Sequence, residues 1–338
     1  MLGLSMGSAW DGGVRSLAEP PQNNLVGHWD FTDVTQLVGS LSGDFSGAYL
    51  SGTDPIGRCK NKAPNVDDSG NHKLGQWVRA IDNNHRPLYF TGGANGNSYA
   101  KFDNSSHDQG LVCRSTDVAN WGAVGTNKLS STRLRAENIS IFIVGEPLDD
   151  DTDGLGENAF SYFGYYDNPS GWDDSASVQF AFEREDDEDV IARFILGDGV
   201  VSPNTVNATN VANHWNSGGV SIINLQTSTS IGGSHVYTNN LPDTGQSIFH
   251  PASTGGFAQN AWADFDPVDY DDSKTASIGI GVQVDEDGDH VGSASFEGKI
   301  YEILVYSASA DFIPPLSESD RTALTYYLGY KYNVTINA

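Results

Sequence analysis

Glu302 stands in SFEGKIYEILVYS (295–307), where Ile300, Tyr301, Ile303, Leu304, Val305 and Tyr306 give it apolar neighbours on both sides. A lone carboxylate in such a run can be catalytic, can bind a sugar or metal, or can hold a structural partner. Glycoside hydrolysis needs two carboxyl groups flanking the scissile bond. Alternation along a strand leaves only Leu304 and Tyr306 following Glu302 on the same parity, so no second carboxylate is within reach on that strand. The one similar spacing elsewhere is EREDDE, with Glu183, Glu185 and Glu188; it lies between two apolar runs and reads as a solvated hairpin loop. No residue is assigned a catalytic role.

Two acidic loops have the composition of calcium sites. DDDTDGLGE (149–157) places Asp149, Asp151 and Asp153 at alternate positions with Gly154 sixth, as an EF-hand loop does, but Phe160 occupies the twelfth position, where a bidentate Glu is required. DEDGDH (285–290) clusters Asp285, Asp287 and Asp289 at a strand end. Calcium is the cofactor that either loop could hold; a solvated acidic turn is the alternative. The eight histidines show no His-x-x-x-His spacing and the two cysteines no Cys-x-x-Cys, which argues against zinc. No Gly-x-Ser-x-Gly elbow or phosphate-binding Gly-rich loop is present. For carbohydrate, the loops offer Trp121, Tyr165, Tyr166, Trp172, Trp215 and Trp262 beside Asn, Asp and Ser, the pairing of aromatic face and polar group that holds a sugar ring.

The elements that must position these residues are strands. LVGHWDF (25–31) splits Leu25, Gly27, Trp29 and Phe31 from Val26, His28 and Asp30 by parity, which predicts a strand with one buried face. Short β-branched or aromatic runs follow at 98–102, 139–145, 160–166, 178–182, 190–196, 219–225, 277–284 and 299–307, separated by Gly, Asn, Asp and Ser clusters. Stretches near 50–75, 103–135 and 226–275 read as long loops. One helix is expected at the C-terminus, with Ser317 as its cap, Asp320 three residues on, and Leu324, Tyr327 and Leu328 as its apolar stripe. Residues 1–22, Gly- and Ser-rich and ending in Pro20-Pro21, read as an extended arm before a single domain over 23–338.

Composition narrows the partners. With 44 acidic residues against 18 basic and a net charge of −26, the chain lacks the clustered cations that a phosphate backbone needs, so nucleic acid is excluded as a partner. No segment carries about 18 consecutive apolar residues, and the N-terminus lacks a basic n-region followed by an apolar one, so neither a membrane span nor Sec export is expected. Cys59 and Cys113 are too few for a disulfide framework and are expected to be buried free thiols.

Three blocks resemble the laminin-G-like, concanavalin-A-like jelly rolls found in bacterial surface proteins and phage structural proteins. They are LVGHWDFTD (25–33); the run DDSGNHKLGQ (67–76), RPLYF (86–90) and GGANGNSYAKFD (92–103); and FEGKIYEILVYSASADFIPPLSESDRTALTYYLGYKYNV (296–334). The opening MLGLSMG is similar to the start of structural proteins in tailed phages of marine bacteria. The resemblance implies an all-β fold, a concanavalin A-like sandwich of two antiparallel sheets with a C-terminal helix. It also implies that Glu302 is a structural acid. A buried carboxylate needs a partner, for which Arg79, Arg86 and Lys331 are the candidates.

From these readings the expected function is that of a non-enzymatic virion structural protein of a tailed phage, a head decoration or a fibre component, made in the host cytoplasm. Its partners would be other virion proteins met through the arm or loops, or further copies of itself. The alternative is a glycan-binding adhesin or receptor-binding module, on the particle or at a cell surface, with polysaccharide as ligand. A glycoside hydrolase ranks third.

Overall fold

A computed structural model describes residues 19–42, 49–64, 77–103, 109–114, 139–147, 159–167, 178–184, 190–196, 204–208, 219–226, 235–242, 276–284, 290–307 and 316–337. The strands in chain order are β1 (Leu25–Asp30), β2 (Leu37–Val38), β3 (Arg58–Lys60), β4 (Trp77–Arg79), β5 (Leu88–Phe90), β6 (Tyr99–Phe102), β7 (Leu111–Arg114), β8 (Ile139–Pro147), β9 (Ala159–Asp167) and β10 (Val178–Arg184). They continue with β11 (Val190–Leu196), β12 (Asn204–Ala208), β13 (Ser221–Gln226), β14 (His235–Thr238), β15 (Leu241–Pro242), β16 (Ala276–Ile280), β17 (Val282–Val284), β18 (His290–Ser295) and β19 (Gly298–Ser307), and helix α1 (Glu318–Tyr332) closes the chain.

The fold is an all-β sandwich of two antiparallel sheets with a C-terminal helix, as the sequence leads one to expect. Sheet A runs β15-β14-β13-β8-β19-β6-β5, and sheet B runs β12-β11-β10-β9-β16-β7-β4-β3-β2. β17 and β18 form a separate pair. The first and last strands are neighbours: β8 lies along one side of β19, while β6 takes the start of its other side at Gly298–Ile300 and β1 takes the rest, with Asp30 opposite Glu302 and Leu25 opposite Tyr306.

β1 departs from the expectation of a single buried face, because all six of its residues are buried. One face carries Trp29, and the other is covered by α1. The helix lays Leu324, Leu328 and Tyr332 over Leu25, Phe142, Leu304 and Tyr306, forming a second apolar core outside sheet A. A strand covered on both sides reads as a continuous apolar run; the His and Asp in β1 are therefore exceptions that need partners.

The run 277–284, expected to be one strand, breaks at Gly281, whose φ of +74° ends β16 and starts β17. A Cβ there would lie 2.3 Å from the Phe102 ring, so the position tolerates only glycine. The stretches read as loops near 50–75, 103–135 and 226–275 contain β3, β7, β14 and β15. Of EREDDE, Glu183 and Arg184 belong to β10, where they pair with Ile191 and Val190 of β11; residues 185–188 lie outside the described residues. Cys59 and Cys113 are buried and form no disulfide.

Candidate functional site

Two β-bulges aim charged residues at the helix. On β1 the register slips between Leu25 and Gly27, leaving Val26 unpaired, so Leu25 packs on the helix side before the bulge and His28 and Asp30 follow it there. On β19 the register slips between Ile300 and Glu302, making Tyr301 the extra residue. Tyr301 and Glu302 then both face α1: the Tyr301 ring meets that of Tyr332 at a centroid distance of 5.4 Å, and the Tyr332 hydroxyl donates to Glu302 Oε2 at 2.7 Å. An added residue that re-aims its neighbours is the usual consequence of a bulge.

Asp30 and Glu302 sit directly across from one another, an arrangement of like charges that destabilises a sheet unless something neutralises it. Lys331, from the last turn of α1, bridges both, at 2.8 Å from Glu302 Oε2 and 3.3 Å from Asp30 Oδ2. Lys62, just after β3, reaches Asp30 Oδ2 at 3.0 Å and Asp33 Oδ2 at 3.1 Å. His28 Nε2 lies 2.7 Å from Glu302 Oε1. Asp30 Oδ1 accepts from the backbone N–H and the hydroxyl of Thr32. Asn61 locks the Lys62 segment in place: its Oδ1 accepts from the N–H groups of His28 and Ala63, and its Nδ2 donates to the carbonyl of the bulged Val26.

Burial by itself would push the Glu302 carboxyl up; the His28 hydrogen bond and the Lys331 ammonium outweigh it and hold the group down at about 2. Lys331 shows the reciprocal effect, since burial favours its neutral form but the Glu302 and Asp30 carboxylates raise it above the ordinary lysine range. Tyr332 is pushed up by burial and by the Glu302 charge, so it stays a donor.

This answers the question of the partner. Lys331, one of three candidates, is Glu302's ion pair; Arg79 and Arg86 instead donate to the carbonyls of Leu41 and Gly39. His28, Asp30, Lys62 and Tyr332 were not foreseen. A second carboxylate does come within reach of Glu302, from the neighbouring strand and not its own: ligating atoms of His28, Asp30 and Glu302 all lie within 4.8 Å of one another. The chemistry open to that pair is narrow. Glu302 is fully buried, both its oxygens are engaged, and its depressed pKa leaves it no proton to give at neutral pH. Two ammonium groups already sit where a cation would, so the cluster is an ion-pair network joining β1, β19, the Lys62 segment and α1.

Of the residues considered for glycan binding, Tyr165 and Tyr166 lie on β9, in register with Ile278 and Ser277 of β16. Trp121, Trp172, Trp215 and Trp262 lie outside the described residues, as do the calcium candidates Asp149, Asp151, Asp153, Asp285, Asp287 and Asp289. The last three belong to the connection between β17 and β18, where Val284 pairs with His290. Residues 1–18 of the expected arm are likewise outside.

No protein-family model matches the chain, and no curated protein matches it. Among solved structures it is similar to the enzymatically active domain of tailspike protein 2 from bacteriophage CBA120, at 15% identity and a TM-score of 0.45, covering 80% of this chain and 32% of that one. It is also similar to a Trypanosoma rangeli sialidase, at 10% identity and a TM-score of 0.38, covering 94% and 36%. A third is a β-1,3-glucanase from Mycobacterium marinum, at 12% identity and a TM-score of 0.31, covering 86% and 100%. The chain thus spans about a third of the length of the tailspike domain and of the sialidase. These neighbours run against the expectation of a non-enzymatic virion structural protein, for they are an active tailspike domain, a sialidase and a glucanase; that expectation, with its exclusion of enzyme activity, is withdrawn. At such scores the likeness assigns no activity to this chain.

Proposed function

We propose that the chain is a glycan-binding module of the concanavalin A-like kind, an adhesin or receptor-binding domain whose ligand is a polysaccharide. The observation that carries this reading is the register of sheet B. Thr205, Ile195, Gln179, Gly164, Gly279 and Val112 form one row across six strands. Paired glycines in adjacent central strands, Gly164 and Gly279, mark a close approach of a ligand or another chain segment; Gly279 and Val112 are themselves buried, so a ligand would engage the row towards Gln179 and Thr205. One step away in register, Tyr166 pairs with Ser277; on the other side Ala181 pairs with Ser161 and Arg193. Small, hydroxyl, amide and aromatic residues at neighbouring positions are the set that a sugar ring needs.

The test is binding of the full chain to a broad glycan array, with calcium and again with a chelator. The expected result is selective binding that Tyr166→Ala and Gln179→Ala each weaken at least tenfold while leaving the thermal midpoint within about 2 °C, a shift worth no more than about 1 kcal/mol. Loss of binding on chelation would assign the ligand contact to the acidic loops as well. An array silent under both conditions would overturn the reading.

A further inference from the structure

We propose that the cluster around Glu302 is an acid-released latch: its protonation lets the C-terminal helix α1 leave sheet A, uncovering an aromatic face, while the two sheets stay folded. This does not depend on the glycan reading and concerns a different face of the molecule.

The docked helix is held by unlike forces at its two ends. Its apolar stripe, Leu324, Leu328 and Tyr332, lies on Phe142, Leu304 and Tyr306. Docking also leaves two polar groups buried without a hydrogen-bond partner, the Tyr306 hydroxyl beneath the helix and Nη1 of Arg321 on it. Undocking would hydrate both, so part of this interface favours release. Opposing that, the last turn is tied to the sheet by Lys331 and Tyr332 through Glu302 and Asp30. The side chains of Asn95 and Asn97 add two bonds to the Lys331 carbonyl.

Glu302 is the group that titrates the latch. From β1 it faces His28 and Asp30; from α1 it faces Lys331, Tyr332 and, farther off, Tyr327; on its own strand it faces Tyr306; Lys62 and Asp33 stand behind Asp30. Docked, its carboxyl is held at about 2, below the ordinary 4.5. A carboxyl with a depressed pKa in the docked state contributes to docking above the ordinary value, and that contribution is lost as pH falls from about 4.5 towards 2. Protonation leaves Lys331 facing a neutral acid.

Hydrogen exchange of the full chain from pH 7 to pH 2.5, with each amide corrected for its intrinsic rate, tests this. The amides of α1 should lose protection at least tenfold below about pH 4, while those of β8 and β13 keep theirs. Lys331→Met removes a group that holds the carboxyl down and so narrows the gap between its docked and free values; the acid-dependent loss of protection in α1 should shrink several-fold, and His28→Gln should do the same and serves if the first variant folds poorly. Glu302→Gln should leave α1 weakly protected with little dependence on pH. Loss of protection in α1, β8 and β13 together at a single pH in the wild type would overturn the proposal. So would an acid-dependent loss of undiminished size in a variant whose β8 amides are protected at pH 7.

Discussion

At the scale of the residue, Glu302 and Lys331 are each costly to bury and inexpensive together. Removing one partner of a buried ion pair strands the other, at a cost of about 3–5 kcal/mol, whereas replacing both by apolar groups of similar size can be nearly neutral. Glu302→Ala should therefore lower the unfolding free energy in denaturant titrations by about that amount. Glu302→Leu combined with Lys331→Met should cost less than Glu302→Ala alone. A double variant at least as damaging as the single one would show that the apolar packing of α1, and not the pair, governs this site. The need for a partner was legible in the sequence, because an acid amid Ile300, Ile303 and Val305 has no solvent to turn to. The identity of most partners was not. His28 and Asp30 occupy alternate positions of β1 and look like the polar face of an ordinary half-buried strand; only the helix docked over that face turns them into buried charges. The signal that could have found them is charge parity, since two strands each carry charged residues among apolar ones and a Lys stands in the last helical turn.

At the scale of the element, α1 was the easiest to read and its ending the hardest. Ser317 does cap it, accepting from the Asp320 N–H at 3.1 Å, and the Ser317 hydroxyl donates to the Asp320 carboxylate at 2.7 Å. At the other end Asn333 adopts the left-handed conformation with φ +56°, and its N–H and that of Val334 return to the helix. The chain then folds back so closely that a Cβ on Gly329 would lie 2.4 Å from Ile336, and the tail reaches the Asn239–Asn240 turn through Asn337. The segment GGANGN (92–97) completes the cap from 234 residues away in sequence, through Asn97 Nδ2 at 2.8 Å from the Lys331 carbonyl. Asn97→Ala removes the Nδ2 bonds to the Ala94 and Lys331 carbonyls and should lower stability by about 1–2 kcal/mol, the net worth of two such bonds. Asn333→Gly should be neutral or slightly stabilising, because glycine meets no penalty in that conformation. Thermal unfolding of both variants checks the pair, and an equal loss in each would argue against the cap. The block GGANGNSYAKFD was legible as part of the resemblance, but not the target of its asparagines, since residues distant in sequence leave no periodic trace. Short strands such as β2, β3 and β4, of two or three residues, were missed for a related reason: alternation needs four or more residues to show itself.

At the scale of the molecule, a net charge of −26 sets the balance between repulsion and internal pairing. Among the described residues the fully buried charges cancel, Arg58 and Arg321 against Asp30 and Glu302, so burial leaves the acidic excess at the surface. Surface repulsion acts over the Debye length, about 10 Å at 0.1 M salt and about 3 Å at 1 M, and is largely screened in that interval. The ion pairs beneath α1 are shielded from solvent and weaken much less. The two effects of salt thus oppose one another, and the larger belongs to the excess of surface carboxylates. The thermal midpoint should rise by at least about 2 °C between low salt and 0.5 M NaCl, the shift expected of about 1 kcal/mol in a chain of this size, and KCl should act alike because the effect is one of ionic strength. A midpoint that falls with salt would mean that the buried pairs contribute more than the whole surface opposes. In that case Lys331→Met should abolish the decline, which would identify the cluster joining β1, β19 and α1 as the dominant electrostatic term in the fold.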